Sequence, residues 1–75
     1  MDERRLARVR ENLSKRGLAQ MLVVDPISIK WLCGYYTEPY ERFLALYVPA
    51  QGAPTLFANQ LFPDPSGCGA RIVSF

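Results

Sequence analysis

Residues able to do chemistry are concentrated in one stretch, Tyr35-Tyr36-Thr37-Glu38-Pro39-Tyr40-Glu41-Arg42. Glu38 and Glu41 are its close carboxylate pair, three positions apart with Pro39 between them. Paired carboxylates share acid–base work when their surroundings push their pKa values apart. An exposed loop keeps both ionised, so the pair reads as surface charge, with Glu41 able to pair with Arg42 or Lys30. Tyr35, Tyr36 and Tyr40 offer large apolar faces with a polar tip, and Arg42 can clamp a carboxylate through two parallel hydrogen bonds. That combination suits recognition of a ligand or partner. The competing assignment has Tyr35 and Tyr36 filling space between a helix and a sheet, with Arg42 in a surface pair.

The remaining composition removes several classes of chemistry. There is no histidine in the chain, which excludes Ser-His and Cys-His nucleophilic catalysis and the commonest zinc sites. Cys33 and Cys68, 35 positions apart, are a poor zinc proposition and permit one disulfide at most. Cys33 falls on the apolar side of a short helix and reads as a small buried hydrophobe. Without a secretory signal, both cysteines are expected to be reduced thiols.

With 75 residues, 49% hydrophobic and 21% charged, the chain is one domain or part of one and too apolar for disorder. A chain this short buries only ~60% of its unfolded surface, and domains of this size are often assisted by disulfides, a metal or a partner surface. No run approaches the ~18 apolar residues of a membrane span, and no apolar segment follows the charged N-terminus as in a signal peptide. The expectation is a cytoplasmic chain that contacts no membrane.

Several elements must position the reactive stretch. Leu6, Val9 and Leu13 recur at spacings of three and four, the stripe of an amphipathic helix over Asp2–Arg16 ended by Gly17. Six of the nine basic residues lie there (Arg4, Arg5, Arg8, Arg10, Lys15, Arg16) against Asp2, Glu3 and Glu11, leaving that helix at +3. A basic segment can bind an acidic partner. It lacks an aromatic residue to stack on bases, and a solvated helix face is the plainer assignment, so no nucleic-acid partner is expected. Leu18–Val24 is a near-continuous apolar run, the pattern of a strand covered on both faces.

Asp25 then offers an N-cap, Pro26 sits where its missing N–H does no harm, and Gly34 ends a short helical turn. Phe43–Val48 is a second buried strand closed by Pro49, and Pro54–Ala58 a third. A connection this short makes the second and third strands an antiparallel hairpin. Asn59–Phe62 reads as a helical turn, Asp64–Gly69 as a loop, and Arg71–Phe75 as a fourth strand at the chain's end, so a partial domain is expected. The predicted fold class is α/β, a mixed sheet flanked by helices. Its core is read as Leu6, Val9, Leu13, Leu22, Val24, Ile29, Leu32, Phe43, Leu44, Leu46 and Phe57.

The run D-P-I-S-I-K-W-L-C-G followed by a loop and E-R-F-L-A-L resembles the N-terminal domain of the creatinase/prolidase family. The matching positions are Asp25, Pro26, Ile29, Leu32, Gly34 and Glu41 through Leu46. Ser28, Trp31 and Cys33 depart from the usual Asn, Tyr and Ser or Thr. The resemblance implies a ribonuclease H-like motif over residues 1–75, with the catalytic pita-bread domain lying outside this chain. It also implies two divalent metals (Mn, Co or Zn) in that absent domain, hydrolysis of a bond preceding proline, and no cofactor held by this chain. The implied partners are the C-terminal catalytic domain and a second subunit of a homo-oligomer. In dimeric relatives the corresponding loop reaches over the neighbouring active site and limits substrate length, a role that would fall to Tyr35, Tyr36, Glu38, Tyr40 and Arg42. A stand-alone module using the basic helix on an acidic partner is the alternative.

Overall fold

Asp2 starts the first helix by accepting hydrogen bonds from the backbone N–H groups of Arg4 and Arg5, both at 3.1 Å. The computed structural model describes residues Met1 to Phe75, and this helix, α1, spans Glu3–Lys15. Strand β1 is Gln20–Val23. Asp25 repeats the capping device for the second helix, α2, Pro26–Cys33, accepting from the N–H groups of Ile27 and Ser28. Gly34 closes α2 at φ 76°, its N–H bonded to the Lys30 carbonyl at 2.8 Å. Only a residue without a Cβ adopts that left-handed conformation readily. Strands β2 (Leu44–Pro49), β3 (Thr55–Ala58) and β4 (Arg71–Ser74) follow.

The four strands lie in the order β1-β2-β3-β4. β1 and β2 are antiparallel with Val23 opposite Leu46, β2 and β3 are antiparallel with Leu46 opposite Leu56, and β3 and β4 are parallel with Leu56 opposite Ile72. The mixed sheet and the β2–β3 hairpin are therefore as the sequence predicts. Residues directly opposite share a face and side chains alternate along a strand. One face thus carries Val23, Leu44, Leu46, Val48, Leu56 and Ala58, and with Leu6, Ile29, Leu32 and the two cysteines these form the core. Full burial of a Leu or Ile side chain contributes about 1.5–3 kcal/mol. Ile29, Leu46, Val48 and Leu56 are completely shielded.

Part of the predicted core lies elsewhere. Leu22 is 53% exposed, and Val24 and Phe43 are similarly open, although all three were expected inside. The run Leu18–Val24 narrows to Gln20–Val23, in which only Val23 is buried. β1 is an edge strand, and the helices whose side chains enter the core cover one sheet face. Leu22, Phe43, Val73 and Phe75 stand on or beside the other face, exposed, with the Phe43 and Phe75 rings 6.2 Å apart. Phe57 and Val9 are only partly buried. Pro49 lies inside β2, paired with Gln20, and its carbonyl accepts from Arg10 Nε at 3.2 Å. Val23, Cys33, Ala45, Val48, Pro54, Leu56, Ala58 and Cys68 complete the buried set beyond the predicted core list.

Candidate functional site

The stretch Tyr35–Arg42 leaves α2 at Gly34 and reaches β2 without regular structure. Its side chains separate into inward and outward groups. Tyr35 is partly buried against the core, and its hydroxyl donates to the Pro63 carbonyl at 2.7 Å. Burial first, and the Asp64 charge second, push its phenol pKa up. Tyr35 thus fastens the start of the loop to the segment after β3, and it is the space-filling member of the set.

Tyr36 points outward, 45% exposed. Its hydroxyl donates to Glu38 Oε2 at 3.2 Å, and the Lys30 ammonium stands 5.8 Å from its ring centre. Donation to a carboxylate favours the neutral phenol, which pushes the Tyr36 pKa up. Glu38 and Lys30 therefore hold one aromatic face in a defined orientation towards solvent.

Tyr40 is 86% exposed and stands at φ 53° in the left-handed region. The Arg42 N–H bonds the Pro39 carbonyl at 2.9 Å, so Pro39–Arg42 is a tight turn with Tyr40 in its second place. A side chain in this region costs of order 1–2 kcal/mol. Tyr40, Glu41 and Arg42 line a shallow surface depression. The pairing considered for Glu41 with Arg42 or Lys30 does not form. The chain's ion pairs are Arg5–Asp2 at 3.4 Å and Lys15–Glu11 at 3.3 Å.

Two exposed patches result, Tyr36 with Glu38 and Lys30, and Tyr40 with Arg42. Each presents an aromatic face beside a cation, a surface able to hold an apolar ring and a carboxylate. Lys30 and Pro63 belong to the same constellation and were not among the predicted site residues. No local spacing signals either, since Lys30 acts six positions from Tyr36 and Pro63 acts 28 positions from Tyr35.

The basic helix is partly committed to structure. Arg5 donates to the Trp31 carbonyl at 2.7 Å and lies 5.0 Å above the Trp31 ring. Arg10 reaches the carbonyls of Pro49 and Gly52. No three His, Cys, Asp or Glu side chains converge anywhere, so the residues of this chain do not fit a paired-metal centre. The chemistry open to the exposed loop is binding.

Comparison with known proteins agrees with this geometry. The pattern of the Creatinase/Prolidase N-terminal domain matches residues 5–64. The chain is 32% identical over 57 residues to an uncharacterised peptidase of Staphylococcus saprophyticus, an alignment covering 76% of this chain and 16% of that protein. It thus spans about a sixth of that relative's length. It is similar, at 27% identity and a TM-score of 0.85, to the creatinase/prolidase N-terminal domain of an X-Pro dipeptidase from Streptococcus pyogenes, over 95% of this chain and 56% of that one. A proline dipeptidase from Streptococcus pneumoniae matches at 29% identity and a TM-score of 0.82, over 93% of this chain and 53% of the other.

Proposed function

Because the chain belongs to the creatinase/prolidase N-terminal domain family, we propose that it is the non-catalytic, substrate-selecting part of an Xaa-Pro dipeptidase- or aminopeptidase-like hydrolase. The observation that carries this reading is the shared chain path over 95% of its length with the N-terminal domain of an X-Pro dipeptidase. In this reading, cleavage belongs to a C-terminal catalytic domain with two divalent metals, Mn, Co or Zn. A metal pair activates water and polarises the scissile carbonyl. The present chain works in the cytoplasm, docks on that domain and contributes to a dimer.

The loop Tyr35–Arg42 acts on substrate choice. Tyr36 and Tyr40 offer faces to a proline ring, and Arg42 offers its guanidinium to a peptide carboxylate. Tyr35 acts by anchoring the loop through Pro63, and Glu38 by orienting Tyr36. The alternative of a stand-alone binder of acidic partners loses support from Arg5 and Arg10, whose guanidinium groups are engaged with backbone carbonyls of the same chain.

The test uses the full-length enzyme with Mn, assayed on Xaa-Pro dipeptides and on longer Xaa-Pro peptides. Tyr36→Ala and Arg42→Ala are each expected to raise KM about tenfold for one substrate length relative to the other, or to reverse the preference. A tenfold change corresponds to about 1.4 kcal/mol of binding. Metal content and kcat should hold. Unchanged preference, or a fall in kcat accompanied by loss of metal, would overturn the assignment.

A further inference from the structure

Cys33 and Cys68 lie far apart in sequence yet line the same cleft, a cavity of about 300 Å³ whose wall also includes Gly34, Ser66 and Gly67. Both are unpaired, buried members of the same core cluster. Neither sulfur is strongly held: Cys33 Sγ donates to the Ile29 carbonyl at 3.3 Å, and Cys68 Sγ stands 4.0 Å from the Ala70 carbonyl. The backbones, by contrast, are well fixed. Cys33 is the last residue of α2, while the Cys68 N–H bonds the Pro65 carbonyl at 3.1 Å and its carbonyl accepts from the Met1 ammonium at 2.6 Å. Two unpaired thiols on anchored backbones, lining one cleft, are placed for oxidation by a small solute.

We propose that Cys33 and Cys68 are a redox pair, which a hydroperoxide converts to a reversible intramolecular disulfide stapling the end of α2 to the segment before β4. In the first step one thiolate sulfur attacks the peroxide O–O bond and becomes a sulfenic acid, releasing hydroxide that is protonated to water. In the second, the other sulfur displaces hydroxide from the sulfenic sulfur, forming the S–S bond and a second water. Two thiols are oxidised and one hydrogen peroxide is reduced, a two-electron exchange. A small thiol reductant reverses it by exchange through a mixed disulfide. Burial raises the Cys33 thiol pKa, an effect opposed by the Tyr35 N–H and the Met1 ammonium. The low thiolate fraction slows the first step without altering which bond forms.

The staple would span the same two segments that Tyr35 joins through Pro63, and so brace the base of the Tyr35–Arg42 loop. It does not depend on that loop's role in substrate choice. The test treats the reduced chain with hydrogen peroxide, digests it with trypsin and compares masses before and after dithiothreitol. The expected product joins the peptides Trp31–Arg42 and Phe43–Arg71 within one molecule, has lost two hydrogens, and separates on reduction. Its melting temperature should rise by about 10 °C or more, since the staple closes a loop of some 35 residues in the unfolded chain. Cys33→Ser and Cys68→Ser should each abolish the joined peptide and the thermal shift. Peptides that stay separate with sulfinic or sulfonic cysteines, disulfides formed only between molecules, or a joined species without thermal gain would overturn the proposal. The peptide linkage is read on the unsubstituted chain, so the result stands even where a serine variant folds poorly.

Discussion

Gly34 shows how a single position links local geometry to the loop that follows. It holds φ 76°, and a Cβ built there would meet nothing within 4 Å. Any penalty for a side chain is therefore conformational and not a clash. Gly34→Val is expected to destabilise the chain by about 1–2 kcal/mol, and Gly34→Asn by less, because asparagine tolerates the left-handed region. An unchanged urea midpoint in Gly34→Val would refute this. Asp25 supplies a second test at this scale. Hydrogen bonds from the Ser28 hydroxyl, then from the Ile27 and Ser28 N–H groups, hold its carboxyl below the usual value of 3.8. A depressed carboxyl pKa contributes stability that is present above the unfolded value and is lost as pH falls through the folded one. Asp25→Asn keeps the cap's acceptor, so it should resemble the parent at pH 7 while losing less stability than the parent between pH 5 and pH 2. Denaturation curves across that range provide the check.

Among the elements, α1 is tied to the sheet by more than its apolar stripe. Leu6 and Leu13 are buried, and Arg10 crosses to the β2–β3 turn, donating to Pro49 at 3.2 Å and to Gly52. Hydrogen bonds from a charged donor contribute about 1.5–3 kcal/mol in favourable settings, and partial exposure reduces this. Arg10→Ala is expected to lower stability by about 1–2 kcal/mol, and Arg10→Lys to recover only part, because an ammonium cannot span two carbonyls with the same fixed fork. Chemical denaturation of both variants decides it. A lysine form as stable as the parent would mean that the fork geometry is immaterial and only the aliphatic stem and the charge matter.

Across the whole molecule, the asymmetry of the sheet dominates. The core side chains of α1 and α2 pack on one face, whereas Leu22, Phe43, Val73 and Phe75 are exposed on or beside the other. β1 and β4 are both edge strands. Exposed apolar surface and open edges favour pairing with another chain. The 1–75 polypeptide on its own is therefore expected to self-associate with rising concentration in sedimentation experiments. Leu22→Lys together with Phe75→Lys should shift it towards monomer without unfolding it, since neither residue belongs to the core. A strictly monomeric parent at high concentration would contradict this reading.

What the sequence determined alone is what a few neighbouring residues can settle. Asp25-Pro26 starts a helix and Gly34 stops it because the bonds involved span two to four residues. The β2–β3 pairing follows from a connection too short for a parallel crossover. The loop Tyr35–Arg42 was likewise visible as the place where aromatic, acidic and basic side chains gather. Tertiary structure decided the rest. An apolar run such as Leu18–Val24 looks the same whether one face or both are covered, so only the assembled sheet left Leu22 in water and Val23 inside. Adjacent tyrosines carry no label either: Tyr35 turned inward because the Pro63 carbonyl, distant in sequence, met its hydroxyl, while Tyr36 found Glu38 and Lys30 at the surface. The approach of Cys33 to Cys68 is of the same kind, set by how α2 and the segment before β4 pack together and not by any local signal.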